Sequence, residues 1–273
     1  MTRPRQAPGH GSLTTHDLSR RVFCGFALTA AVGVQAQVAN LGDAINKAGR
    51  QRMLSQRMGK AWLVLGQGIQ SDSAKRVLDQ SMALFDRQLA ELKVFAPVGE
   101  TRTTYVQLES AWSDYKEVLV GAAPTQDKAR AMLGQSGKVL ALAHKGTGLF
   151  ESQSGKPAGR LVNIAGRQRM LSQRMAEFYF AKNWNVDVAA SQLEMTKARD
   201  EFVPALEILR NAPEATAEIK QELQLADNQW LFFDNALKSN VAGAKAASDV
   251  FVTSENLLQV MDRVTGMYAK ILG

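Results

Sequence analysis

The chain has 273 residues, with 33 Lys+Arg against 26 Asp+Glu, 45% apolar and 7% aromatic side chains, 7 Pro and 1 Cys. That length allows one large domain or two of ordinary size, and the composition excludes collagen, a disordered chain and a disulfide scaffold. The formal net charge of +7 has to be corrected for the first stretch before it is read.

Residues 1–36 read as an export signal. Arg3, Arg5, Arg20 and Arg21 precede the apolar run Val22 to Val34, which is too short to span a bilayer, and Val34-Gln35-Ala36 closes it with small residues suited to cleavage after Ala36. Ser19-Arg20-Arg21-Val22-Phe23 resembles a twin-arginine signal, with an ordinary secretory signal as the alternative. An uncleaved anchor is the weaker reading, because Gln35 and Gln37 interrupt it. Either signal predicts a periplasmic protein. Loss of four arginines and one aspartate leaves the mature chain near +4, too mild for nucleic acid. Cys24 leaves with the signal, so thiolate chemistry and cysteine metal sites go with it. Of the three histidines only His144 remains, and its isolation in a helical pattern reads as an exposed or locally bonded side chain rather than a ligand. No metal or cofactor is expected.

An internal repeat organises the rest. Ala48-Gly49-Arg50-Gln51-Arg52-Met53-Leu54-Ser55-Gln56-Arg57-Met58 recurs unchanged as Ala165-Gly166-Arg167-Gln168-Arg169-Met170-Leu171-Ser172-Gln173-Arg174-Met175. Asn46 matches Asn163, Ala96-Pro97 matches Ala212-Pro213, and Trp112 matches Trp230 with small shifts of register. A period of this size marks a tandem duplication of domains rather than a solenoid.

Each half has helical periodicity. Leu54, Met58, Ala61 and Leu65 form a stripe that a strand could not present on one face. Breaks are predicted at Ser71-Asp72-Ser73, Ala96 to Gly99, Gly121 to Pro124, Asn185 to Asp187, Ala212-Pro213 and Ser239 to Gly243, with Ser154-Gly155-Lys156-Pro157 as the linker between halves. The reading is all-α: two tandem antiparallel four-helix bundles over 37–153 and 154–273, related by a pseudo-two-fold axis. Pro204 should kink the sixth helix or delay its start. Four up-and-down helices return the chain to its starting end, so the two repeated helices can run parallel and set Arg52 opposite Arg169, as in a symmetric dimer.

Within the repeat, Gly49, Arg52 and Gly59 share a helical face while Leu54 and Met58 turn to the core. Glycine inside a helix costs about 1 kcal/mol relative to alanine, which close approach of another helix would offset. Two parallel helices with Gly49 and Gly166 beside Arg52 and Arg169 would bring two guanidinium groups together, and a planar oxyanion between them would relieve the repulsion.

The string Ile45-Asn46-Lys47-Ala48-Gly49-Arg50-Gln51-Arg52-Met53-Leu54-Ser55-Gln56-Arg57 resembles the periplasmic P-box of nitrate/nitrite sensor kinases of the NarX type. It is also similar to the PilJ-type domain at the N-terminus of type IV pili chemotaxis transducers. The resemblance implies a four-helix sensor domain with nitrate or nitrite bound between the first helices of two subunits. It further implies ligand contact by Arg52 and Arg169, a functional role for Arg57 and Arg174, and a basic residue at Lys47; Arg50 and Arg167, with Gly49 and Gly166, complete the candidate site. That last position is Ile164 in the second copy, which makes the site asymmetric. PilJ-type relatives share the segment, so the family leaves the ligand open. Sensors of this kind carry a membrane helix and signalling modules after the domain, whereas this sequence has no second apolar span. The expectation is an exported monomer with an internal pseudo-dimer, acting with a membrane sensor or chemotaxis partner.

The competing reading makes Arg50, Arg52, Arg57 and their copies a solvated stripe or register-holding partners of Asp43, Glu177 or Glu255; the doubled, identical string favours a ligand site. Met53, Met58, Met170, Met175, Trp112 and Trp230 read as core. No nucleophile–base pair, carboxylate pair or phosphate loop is present, so catalysis is not expected. Two classes stay in play: a small-anion sensor, and an interaction module whose repeat is only a packing seam.

Overall fold

The computed structural model describes residues 37–239 and 243–273; the export signal expected over 1–36 and the expected cleavage after Ala36 lie outside them. Eight helices follow in order: α1 (Leu41–Gly66), α2 (Ser71–Phe95), α3 (Glu100–Val120), α4 (Gln126–Ser154), α5 (Pro157–Asn183), α6 (Val188–Asn211), α7 (Ala217–Lys238) and α8 (Ala244–Leu272). Helix ends follow local chemistry. Asn40 caps α1 by accepting from the Asp43 N–H at 2.9 Å, Thr216 caps α7 through Ile219, and Pro157 opens α5 where its missing N–H has no cost.

The first predicted break is displaced. Ser71 to Ser73 begin α2, and the turn is made by residues 67–70, where Gly68 (φ 66°) and Gln70 (φ 47°) take left-handed backbone. The remaining breaks fall between helices. Pro204 lies inside an uninterrupted α6, so it neither delays nor ends that helix.

Within the first half α1 is flanked by α2 and α4, with α3 closing the bundle against α4; in the second, α5 is flanked by α6 and α8, with α7 against α8. The most extensive interface of the molecule joins α1 to α5, and residues Gln35–Gly273 form one compact unit. The repeat is legible in the cores. Phe85 packs on Trp112 at 4.3 Å and Trp112 on Tyr115 at 6.0 Å; Phe202 packs on Trp230 at 4.5 Å and Trp230 on Phe233 at 6.2 Å. Met53, Met58, Met170, Met175 and Trp112 are buried, while Trp230 is partly covered. Parallel packing of α1 on α5 brings Ile45 to Gly159, Gly49 to Gly166, Gly59 to Glu177 and Gly66 to Trp184. None of the described helices is long and apolar enough to cross a membrane.

Candidate functional site

On the α1–α5 contact, Gly49 and Gly166 face each other directly. A Cβ on Gly49 would stand 3.2 Å from Arg52 Nη2, 3.4 Å from Arg169 Nη2 and 3.8 Å from the Gly166 Cα. Gly166 has the mirrored surroundings, 3.2 Å from Arg169 Nη2 and 3.5 Å from Arg52 Nη2. Two guanidinium groups therefore converge where the helices lack side chains. Helical side chains lean toward the N-terminus, so Arg52 reaches back to donate to the Asn163 carbonyl (3.2 Å) and Arg169 to that of Asn46 (3.0 Å). Both arginines are 0% exposed, and the Nε of each has no partner.

The two sides then diverge. Arg169 Nη1 donates to Asp262 on α8, which also accepts from Arg50 Nη2 at 2.8 Å. In the pseudo-equivalent place on α4 stands His144, whose Nδ1 lies 3.2 Å from Arg52 Nη1 and 3.4 Å from Arg167 Nη1. A carboxylate joins two arginines on one side; an imidazole joins two on the other. Burial alone would raise Asp262, but Arg169 and Arg50 outweigh it and hold its carboxyl near 2. Burial, then Arg52 and Arg167, lower His144 from its ordinary value, which favours the neutral ring. Arg52 is brought down to about 9 by burial, then by Arg167 and Arg169, and no carboxylate bonds to it. Arg169, with Asp262, falls only to about 10.

The other expected residues are tied nearby by ion pairs. Lys47 bonds Asp43 (2.9 Å) and Glu91 (2.8 Å), away from the arginine pair. Arg167 forks onto Glu201 of α6. Farther along, Arg57 meets Glu255 at 3.0 Å, and Arg174 donates to Glu194 (2.6 Å) and Gln56 (2.7 Å). Of the carboxylates expected to pair with the repeat arginines, Glu255 does so with Arg57, whereas Asp43 pairs with Lys47 one helical turn away on α1. Glu177 instead accepts from Ser136 Oγ at 2.8 Å, because helix geometry aims Arg174 at Glu194. Burial pushes Glu177 up to about 8, against Arg174 and Ser136. Its counterpart Lys60 is equally buried and bonds Glu255 at 2.6 Å.

Sequence reasoning missed His144, Asp262 and the two asparagine carbonyls. His144 is bonded across helices rather than locally, and its pairing with Arg52 depends on how α4 lies along α1, which no motif encodes. Spacing alone could have flagged the match, since Asp262 follows Trp230 by the same 32 residues that separate His144 from Trp112. Among the described residues no cluster of His, Cys, Asp and Glu could hold a metal ion.

A groove of about 370 Å³ between α4, α5 and α6 leads to this side, lined by Gly137, His144, Arg167, Arg174, Lys197 and Glu201 among others. The arrangement can hold an anion by charge-assisted bonds from buried arginine.

The model of the type IV pili methyl-accepting chemotaxis transducer N-terminal domain, PilJ, matches residues 34–139 and 151–257. Comparison with curated proteins and with solved structures returns no match. Both matched stretches contain the repeated arginine segment, and both end before the residues that distinguish the two sides, His144 and Asp262. Two matches in tandem cover most of the chain, which therefore belongs to the PilJ family of sensing and signalling domains.

Proposed function

We propose that the protein is an exported sensor component that binds one small planar oxyanion, nitrate or nitrite, on the Arg52 side of the α1–α5 interface. The observation that carries this reading is the inequality of the two arginines: Arg169 has Asp262, whereas Arg52 is fully buried with only carbonyl and imidazole partners. A buried cation without a counter-ion is costly, and a bound anion would offset that cost. Asp262 acts as a built-in anion on one side, leaving a single site for one from solution. Because both first helices belong to one chain, the site forms without a subunit encounter. Anion occupancy would alter α1–α5 packing and be read by a membrane partner.

Thermal unfolding with nitrate, nitrite, chloride and sulfate at matched ionic strength tests this. A native-state ligand stabilises by about 2.7 kcal/mol at one hundred times its dissociation constant. A rise confined to nitrate and nitrite and lost in Arg52→Ala is expected; identical curves in all four salts would remove the anion reading. An interaction module is the second reading, favoured by Leu231 and Phe232, adjacent on α7 and 58% and 59% exposed.

A further inference from the structure

A second groove, of about 470 Å³, lies between α4, α5 and α6 and is lined by Glu151, Asn163, Arg167, Gln168, Asp200 and Pro204 among others. Arg167 and Glu201 line both grooves, but His144 belongs only to the first. The second is marked by polar groups with nothing to bond.

Gln168 is 0% exposed, and neither its amide nitrogen nor its amide oxygen has a partner. Its repeat counterpart Gln51 donates to the Phe85 carbonyl at 3.4 Å; Gln168 makes no such bond to Phe202. Asn163 Oδ1 is likewise unpartnered, although its Nδ2 is anchored on Glu151. Across the groove, Pro204 has no N–H to offer the Asp200 carbonyl one helical turn earlier. Leaving a buried amide unbonded is expensive, so a wall holding several unmet groups is a place built to receive a ligand. An amide with both N–H and C=O free matches another amide edge to edge. On the rim, Arg160 of α5 and Asp200 of α6 are exposed, opposite in charge and in no ion pair, while Ile164, Ala205 and Ile208 supply apolar wall.

We propose that this groove binds a small zwitterion carrying a carboxamide, of the chemical class of free glutamine and asparagine. Gln168 and Asn163 recognise the amide, and Arg160 and Asp200 take the carboxylate and ammonium ends. The site adjoins the first groove, sharing Arg167 and Glu201 with it, but its ligand is taken by Gln168, Asn163, Arg160 and Asp200, so the proposal does not rest on the anion reading.

Calorimetric titration of the full chain with L-glutamine and L-asparagine tests the proposal, with L-glutamate and L-leucine as controls. Saturable binding of one or both amides is expected, at least tenfold tighter than either control. Gln168→Leu, which removes both amide atoms at similar volume, should weaken it at least tenfold, while Arg52→Ala should leave it unchanged. Should Gln168→Leu fail to fold, Asp200→Asn on the exposed rim should weaken amide binding several-fold. The proposal is overturned if neither amide binds, if glutamate binds equally well, or if the Gln168 or Asp200 variant binds like the parent. Persistence in Arg52→Ala separates this site from the proposed anion site.

Discussion

His144 occupies on α4 the place that Asp262 occupies on α8: each sits between the buried arginine of one first helix and the partly exposed arginine of the other, Arg52 with Arg167 and Arg169 with Arg50. One substitution within a duplicated frame thus decides which half carries an internal anion.

If that inequality creates the site, His144→Asp should close it. The new carboxylate would repeat the Asp262 arrangement beside Arg52. Stability without added anion should rise, by about 1 kcal/mol for a charged hydrogen bond to a partly covered group, and the response to nitrate should vanish. Thermal unfolding in nitrate and chloride checks both outcomes; persistence of a nitrate response in this variant would contradict an anion site at Arg52.

Anion affinity should rise as pH falls. Burial and the two flanking arginines lower the His144 pKa in the empty state; an anion beside it reverses part of that repulsion, so binding takes up a proton. Affinity should be weakest well above the ordinary histidine value of about 6.5 and increase through the interval below the bound-state pKa. Titrations at pH 5.5 and 8 should differ in this direction, and His144→Gln should flatten the dependence.

Glu177 should make the fold less stable as pH rises. Its folded pKa, about 8, lies above the ordinary carboxyl value because burial disfavours the charge. The folded chain therefore keeps a proton that the unfolded chain releases, and stability declines between about pH 4.5 and 8. Glu177→Gln keeps the shape and removes the titration, so it should gain on the order of 4 kcal/mol relative to the parent at pH 8 and little at pH 4.5. Denaturant unfolding at the two pH values measures the difference.

Gly49→Ala should separate the site from the fold. Alanine gains about 1 kcal/mol of helix propensity, but its Cβ would press on the ends of Arg52 and Arg169 at 3.2 and 3.4 Å. The clash is a few tenths of an ångström against side-chain ends rather than backbone, so it roughly offsets the propensity gain and net stability should change by less than about 1 kcal/mol, whereas the anion response should be lost or cut severalfold. Parallel unfolding curves with and without nitrate distinguish the two effects.

The duplicated arginine segment, its glycines, the eight-helix count and the buried methionines were legible in the sequence, because helical periodicity, turn chemistry and an exact internal repeat are local signals. Lys47, Arg57 and Arg174 stood out for the same reason, yet each spends its charge on a carboxylate from another helix: Glu91, Glu255 and Glu194. Those partners are distant in sequence and identified only once α2, α8 and α6 are laid against the repeat. The start of α2 was misread because left-handed backbone at Gln70 is not a residue-type preference.

By itself, then, the sequence determined that two like helices exist, each with an arginine between glycine and serine, and that they could lie parallel in one chain. The sequence also made the pair asymmetric through Lys47 and Ile164, but tertiary structure decided where the inequality falls: on the partners of the two arginines. Asp262 and His144 lie beyond the repeated segment, on the last helix of each half, and only packing of those helices against α1 and α5 supplies a counter-charge to Arg169 and withholds one from Arg52. Charge compensation is a property of neighbours in space, and a motif records neighbours in sequence.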